Sequence, residues 1–259
     1  TFGASEGWDW IPTVRDRNTG VWQDVLLRAT GDVRIGDPHV RTLLPKPDNS
    51  LAELTISVPV INDSGMEREI ALEARFGDVT LRQSATLAPN SATSLRFAPE
   101  QFAELRIRSP RLWWPNGYGE PALHTLALTA RVGGAVSDTR AIRFGIREIS
   151  YELSAVDQAE KLRRVAVAPA RSMGEQLLDV AHDGIRKVEN GWAVSLASDV
   201  DGSPALATVA NTSLAPHLLI RVNGVPIAVR GGNWGMDDWM KRVSRERMEP
   251  FFRLHRDAN

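Results

Sequence analysis

Between residues 37 and 149 the chain repeats one pattern: a short run alternating apolar and polar residues, then a few residues suited to a tight turn. The runs predict strands at His39 to Leu44, Ala52 to Asn62, Arg68 to Phe76, Val79 to Leu87, Ala92 to Phe97, Leu123 to Val132 and Ala135 to Phe144. Between them lie Asn62-Asp63-Ser64-Gly65, Gly77-Asp78, Pro89-Asn90 and Gly133-Gly134, whose residues tolerate positive φ or pre-set a turn. About seven strands in about 110 residues is the count of an immunoglobulin-like β-sandwich. With no cysteine it would be the kind without a disulfide.

Composition narrows the function classes. A formal net charge of -1 provides no basic field for nucleic acid, and no apolar run reaches the length of a membrane span. The five histidines, His39, His124, His182, His217 and His255, are scattered without metal-ligand spacing, so neither a metal nor another cofactor is expected. Arg163-Arg164 and Lys241-Arg242 read as solvated faces.

The C-terminal stretch changes character. Leu218 to Val222 alternates, turns at Asn223-Gly224, and returns as Val225 to Arg230, the strongest short-range hairpin signal, with Pro226 marking an edge. Glycines 231, 232 and 235 end the strand, and Ser244 then caps a helix with Glu246 against its positive end. Met248, Phe251, Phe252 and His255 share a face of that helix, and no later element covers it. Together with an N-terminus that lacks Met, this predicts an interior piece of a longer protein.

Two further segments carry specific spacing. Ser109-Pro110-Arg111-Leu112-Trp113-Trp114-Pro115-Asn116-Gly117-Tyr118-Gly119-Glu120-Pro121 cannot be regular, yet its aromatics demand burial, so it should fold over the sandwich edge. Near the N-terminus, Trp8-Asp9-Trp10-Ile11-Pro12 precedes Gly20-Val21-Trp22, where Val21 to Leu27 reads as a strand.

These motifs, with Phe144-Gly145-Ile146-Arg147 and Arg221 to Trp234, resemble glycoside hydrolase family 2 in its β-mannosidase and exo-β-D-glucosaminidase-like branch. His124 departs from the family, which more often has Tyr there. The resemblance implies a mainly β chain. Residues 1–36 would be the C-terminal strands of a jelly-roll sugar-binding domain, 37–149 the sandwich, 150–216 an insert, and 217–259 the start of a (β/α)8 catalytic barrel, a truncated TIM barrel. Family members usually reach the barrel hairpin soon after the sandwich, whereas about 65 residues intervene here, long for one connection. In the insert, Leu162 to Val167 should pair with Ile149 to Leu153, and Ala168 to Glu175 could form a short helix. Gln176 to Leu196 also fits a helical face, but Asp183-Gly184 and Asn190-Gly191 favour strands joined by hairpin turns.

The resemblance further implies a retaining glycosidase acting on an oligosaccharide or glycoside, whose two catalytic glutamates belong to later barrel strands. No Asp or Glu of this chain matches either motif, so no catalytic residue is assigned and the chain alone should be inactive. Its missing partners would be the remaining jelly-roll and barrel segments of the same protein. Trp8 and Asp9 would reach the terminal sugar, the ring stacking on C–H faces and the carboxylate accepting from hydroxyls; against this stands core packing of Trp8 and Trp10. Asn233, Trp234, Asp237 and Asp238 would line the rim after the first barrel strand, or form a capped, solvated loop. Trp113 and Trp114 are assigned to packing. The family leans towards a periplasmic or secreted location, and the compartment stays open. The rival of another class is a stand-alone carbohydrate-binding or adhesion sandwich without catalysis.

Overall fold

The computed structural model describes residues 21, 24–172, 174–189, 191–198, 200–209, 218–232 and 244–258. Contacts divide the chain into two units, residues 29–228 and residues 1–28 with 229–259. The described structure is mainly β.

The larger unit begins with β1 (Val33–Ile35), β2 (His39–Leu43), β3 (Leu51–Asn62), β4 (Arg68–Phe76), β5 (Val79–Leu87), β6 (Ser91–Phe97), β7 (Arg106–Arg108), β8 (His124–Val132) and β9 (Ala135–Phe144). All seven runs expected from alternation are strands. The two not anticipated, β1 and β7, are three residues each, too short for a period to register. β3 is the axis of the first sheet: β2 and β1 lie end to end along one edge, β7 and β6 along the other. A proline in a central strand should cost a ladder bond, yet Pro59 sits opposite the break between β2 and β1. There its carbonyl accepts from Gly36 N (2.8 Å), so its missing N–H faces that break.

The second sheet is antiparallel in the order β5-β4-β8-β9, two hairpins laid side by side. Gly77 (φ 53°), Gly133 (φ 57°) and Gly134 (φ 83°) take the left-handed conformations that its two-residue turns require. The inward residues of both sheets, among them Leu54, Ile56, Leu72, Phe97 and Leu126, form one core. Along β9 the register shifts beside Ala130 and Arg131, and this bulge brings Ser137 and Asp138 against β1. Ser137 Oγ accepts from Val33 N (3.0 Å) and donates to Val33 O (2.7 Å), while Asp138 Oδ2 accepts from Ile35 N (2.7 Å). These bonds tie the second sheet to the outer edge of the first.

The third sheet is built on β10 (Ile149–Val156). One edge of β10 carries β11 (Leu162–Val167), the partner expected, but displaced along the strand: the pairs run from Tyr151 opposite Val167 to Val156 opposite Leu162 rather than over Ile149 to Leu153. Beyond β11 a 3-10 turn at Pro169–Arg171 stands where a short helix was expected. β12 (Leu178–Asp179) and β13 (Ile185–Val188) both pair with β14 (Gly191–Leu196), and β15 (Leu206–Thr208) extends the β11 side. β14 itself runs parallel to the end of β10. Strands therefore prevail over the helical alternative, but both turn assignments shift. Asp183-Gly184 lies in a 3-10 turn, because residues 180–184 loop out between two strands sharing one edge of β14. Val188 opposes Gly191, which makes Gly191 a strand residue, while Asn190 lies outside the described residues.

β16 (Leu218–Val222) pairs with the first half of β10, and β17 (Val225–Ile227) pairs with β16 alone, the edge position expected of Pro226. Asn223 (φ 51°) and Gly224 (φ 79°) make the expected turn. β17 stops at Ile227, three residues before the expected end at Arg230. A second apolar cluster, including Ala155, Val165, Leu177 and Leu196, fills this sheet.

In the smaller unit, α1 (Arg245–Asp257) starts at Ser244, whose hydroxyl accepts from Arg247 N (3.4 Å). The strand expected from Val21 to Leu27 is not formed: among the described residues Asp24 to Thr30 joins no ladder, and Val25, Leu26 and Leu27 are exposed. Alternation alone does not make a strand when no partner edge is supplied.

Candidate functional site

Trp8, Asp9, Asn233, Trp234, Asp237 and Asp238 lie outside the described residues. What the structure places is the hairpin that precedes the segment from Asn233 to Asp238, and the loop that holds it.

Loop 109–121 docks on the strand end at 145–148. Trp113 N donates to Ile146 O (2.9 Å), and Trp114 N donates to Glu120 O (3.0 Å), closing the loop on itself. Gly145 is required here by close approach: a Cβ would lie 2.7 Å from Trp113 Cβ. Arg147 stacks over the ring, 4.6 Å from its centroid. The tryptophans thus pack as assigned, but both are half-buried, since the loop covers an edge and keeps one side towards solvent. His124, the departure from the family pattern, bonds Arg111 O (3.0 Å); a carbonyl can only accept, so Nε2 carries the proton.

Asn223 is the polar centre of this junction. It is 3% exposed, and each of its four hydrogen-bonding groups has a partner. Its N–H donates to Glu148 O (2.8 Å) and its Oδ1 accepts from Glu148 N (3.0 Å), which continues the β10–β16 ladder with a side chain substituting for backbone. Nδ2 donates to Trp113 O (3.0 Å), and the Asn223 carbonyl accepts from Asn49 Nδ2 (3.0 Å). Tyr118 supplies a second tie, its hydroxyl accepting from Ala228 N (2.7 Å). One loop therefore holds the hairpin at its turn and just past its end.

Glu148 is the carboxylate in this junction, with its side chain 14% exposed. Its Oε2 accepts from Leu44 N (2.7 Å) and its Oε1 lies 4.0 Å from Arg171, so both oxygens are committed to structure. Nothing in the junction is an uncommitted acid or nucleophile, and no group of three metal-binding side chains occurs among the described residues. In the smaller unit, Glu246 has its carboxyl held below the usual range by its own backbone N–H and the Ser244 hydroxyl, as a first-turn carboxylate should. Sequence reasoning treated Asn223 only as a turn former, passed over Glu148, and expected Tyr118 to be buried with the tryptophans, whereas it is exposed and its hydroxyl serves the hairpin. Their partners are far away in the chain, so no local signal marked them.

Two sheets closed by a docked tryptophan loop, with a hairpin built onto the exit strand, define a modular β-rich domain. Residues 33–147, somewhat less than half of the chain, match the family described as Glycosyl hydrolases family 2. It is 37% identical over 149 residues to an exo-beta-D-glucosaminidase of Streptomyces avermitilis, covering 57% of this chain and 16% of the relative. A mannosylglycoprotein endo-beta-mannosidase of Lilium longiflorum aligns over 265 residues at 27% identity, covering 98% of this chain and 21% of the relative. The exo-chitosanase of Amycolatopsis orientalis shares the fold, with a TM-score of 0.56 over 91% of this chain and 20% of that one, at 20% identity. The chain thus spans about a fifth of the length of these relatives.

Proposed function

We propose that this chain is part of a retaining glycoside hydrolase that releases terminal β-linked sugars of the β-mannoside or β-glucosaminide type. The observation that carries the reading is the family match over residues 33–147, which ends at the strand where loop 109–121 docks. The names of the relatives, exo-glucosaminidase and endo-mannosidase, support a β-linked hexoside or hexosaminide as substrate class.

In this reading residues 1–36 complete a jelly-roll domain, 37–149 are its immunoglobulin-like neighbour, 150–216 are an insert, and the chain from 217 leads into a (β/α)8 barrel. Trp8 and Asp9 contact the terminal sugar, and Asn233, Trp234, Asp237 and Asp238 line the rim. The glutamate pair, roughly 5 Å apart in retaining enzymes, is supplied from outside these 259 residues: one protonates the leaving oxygen, the other attacks the anomeric carbon. The purified 259-residue chain should therefore leave aryl β-mannosides and β-glucosaminides intact, while a gene product extended through the barrel hydrolyses them with retention. Turnover by the short chain that a point mutation within it abolishes would overturn the assignment of the glutamates. An extended protein that binds sugar but never cleaves it would favour a non-catalytic module.

A further inference from the structure

We propose that the seam between β2 and β9 is a binding groove for an acidic saccharide, one carrying uronate carboxylates or sulfate esters. β2 and β9 are edge strands of the two sandwich sheets, and Pro169 and Ala170 of the 3-10 turn line the space beside them. The resulting cavity measures about 610 Å³, within the range of ligand clefts.

Its lining separates charge sharply for a chain of net charge -1. Arg143, Arg147 and His39 line it, together with Arg41, which already has a partner of its own, and among the described residues that line it none is acidic. Arginines next to the groove are neutralised locally: Arg140 pairs with Asp37, and Arg171 lies against Glu148. Arg143 is exposed and has no carboxylate partner among the described residues. Arg147 is held over Trp113 and so keeps its orientation before any ligand arrives, which lowers the entropy lost on binding. Between the guanidinium groups the lining is apolar or aromatic, from Ile142, Phe144, Leu123 and Tyr151. Guanidinium groups spaced over an apolar, partly aromatic floor suit a ring that presents C–H faces and carries anionic substituents. A flexible acidic peptide would meet the same charges but gain less from the floor, and would lose more entropy on ordering. A neutral or cationic saccharide would gain nothing from the arginines.

The test is calorimetric titration of the 259-residue protein with four probes: an oligogalacturonate, a sulfated oligosaccharide of equal length, a neutral cello-oligosaccharide and an oligoglutamate of equal charge. At least one acidic saccharide should bind saturably at one site, more weakly as salt rises, and the stronger of the two identifies the anionic group. Arg143→Glu should weaken that binding by about tenfold or more, by replacing attraction with repulsion. Arg75→Glu, on an exposed strand position outside the groove, should leave it unchanged. Equal binding of the neutral sugar or the oligoglutamate, an unchanged affinity in Arg143→Glu, or no saturable binding of either acidic saccharide would overturn the proposal. Glycoside turnover does not enter any arm, so the glycosidase reading stands or falls separately.

Discussion

Asn223 meets two demands of different range. Its positive φ is a local requirement, and Asn before Gly signals it directly. Its side chain bonds Trp113 and Glu148, 110 and 75 residues away, and this no local rule could announce. Asn223→Ala should therefore destabilise the protein by about 2 to 4 kcal/mol, combining the left-handed backbone cost with buried groups left unpaired. Asn90 has a similar φ of 50° but sits in an exposed turn, so Asn90→Ala should cost only about 1 kcal/mol. Equal shifts of the two urea midpoints would remove the junction from the argument. Asp157 gives a pH-dependent case. The Lys161 N–H first, then the Ala159 N–H and Arg163, hold its carboxyl below the usual 3.8. A depressed folded pKa contributes stability that is fully present above the unfolded value and is lost as pH falls through the folded one. The stability gap between wild type and Asp157→Asn should thus be constant near neutrality and shrink below about pH 3.8, measured as melting temperature against pH.

At the scale of elements, alternation and turn residues were enough wherever two consecutive strands pair with each other, as in β2–β3, β4–β5 and β8–β9. They were insufficient in the third sheet. β10 gives its first half to β16 and its second half to β14, so its residues face different neighbours along its length. Asp183-Gly184 was read as a hairpin turn because Asp-Gly usually is one; here β12 and β13 share an edge of β14, and the dipeptide only bridges them. The tryptophan loop was legible as a fold-over from its prolines and aromatics, and its docking target was not. Gly145 marks that target. Gly145→Ala should cost about 1 to 3 kcal/mol through overpacking against Trp113, and a cavity-making Trp113→Ala in the same protein should recover part of it. Additive losses in a double-mutant cycle would count against the contact.

For the whole molecule, limited proteolysis should leave a resistant core close to residues 29–228, because both apolar clusters lie within it. A core ending near residue 149 would show that the third sheet is not part of the same cooperative unit. In a protein extended through the barrel, Asp9→Ala should lower kcat/KM far more than Trp113→Ala at matched folding, if Asp9 holds sugar hydroxyls that bind more strongly in the transition state. Trp113→Ala should instead cost about 1 to 3 kcal/mol, less than a fully buried tryptophan, since its ring is half-buried under Arg147. Wild-type kinetics for Asp9→Ala would return Trp8, Asp9 and Trp10 to a packing role. The amino-acid sequence by itself determined the β class, seven strands of the sandwich, the hairpin and the helix cap, because each depends on a period or on a backbone conformation that neighbouring residues impose. Only the tertiary structure decided that β10 is shared between the hairpin and the insert, that Asn223 links three distant segments, and that arginines from separate strands line one groove. Those features arise from residues remote in the chain meeting in space, and local chemistry carries no record of which remote partner will be met.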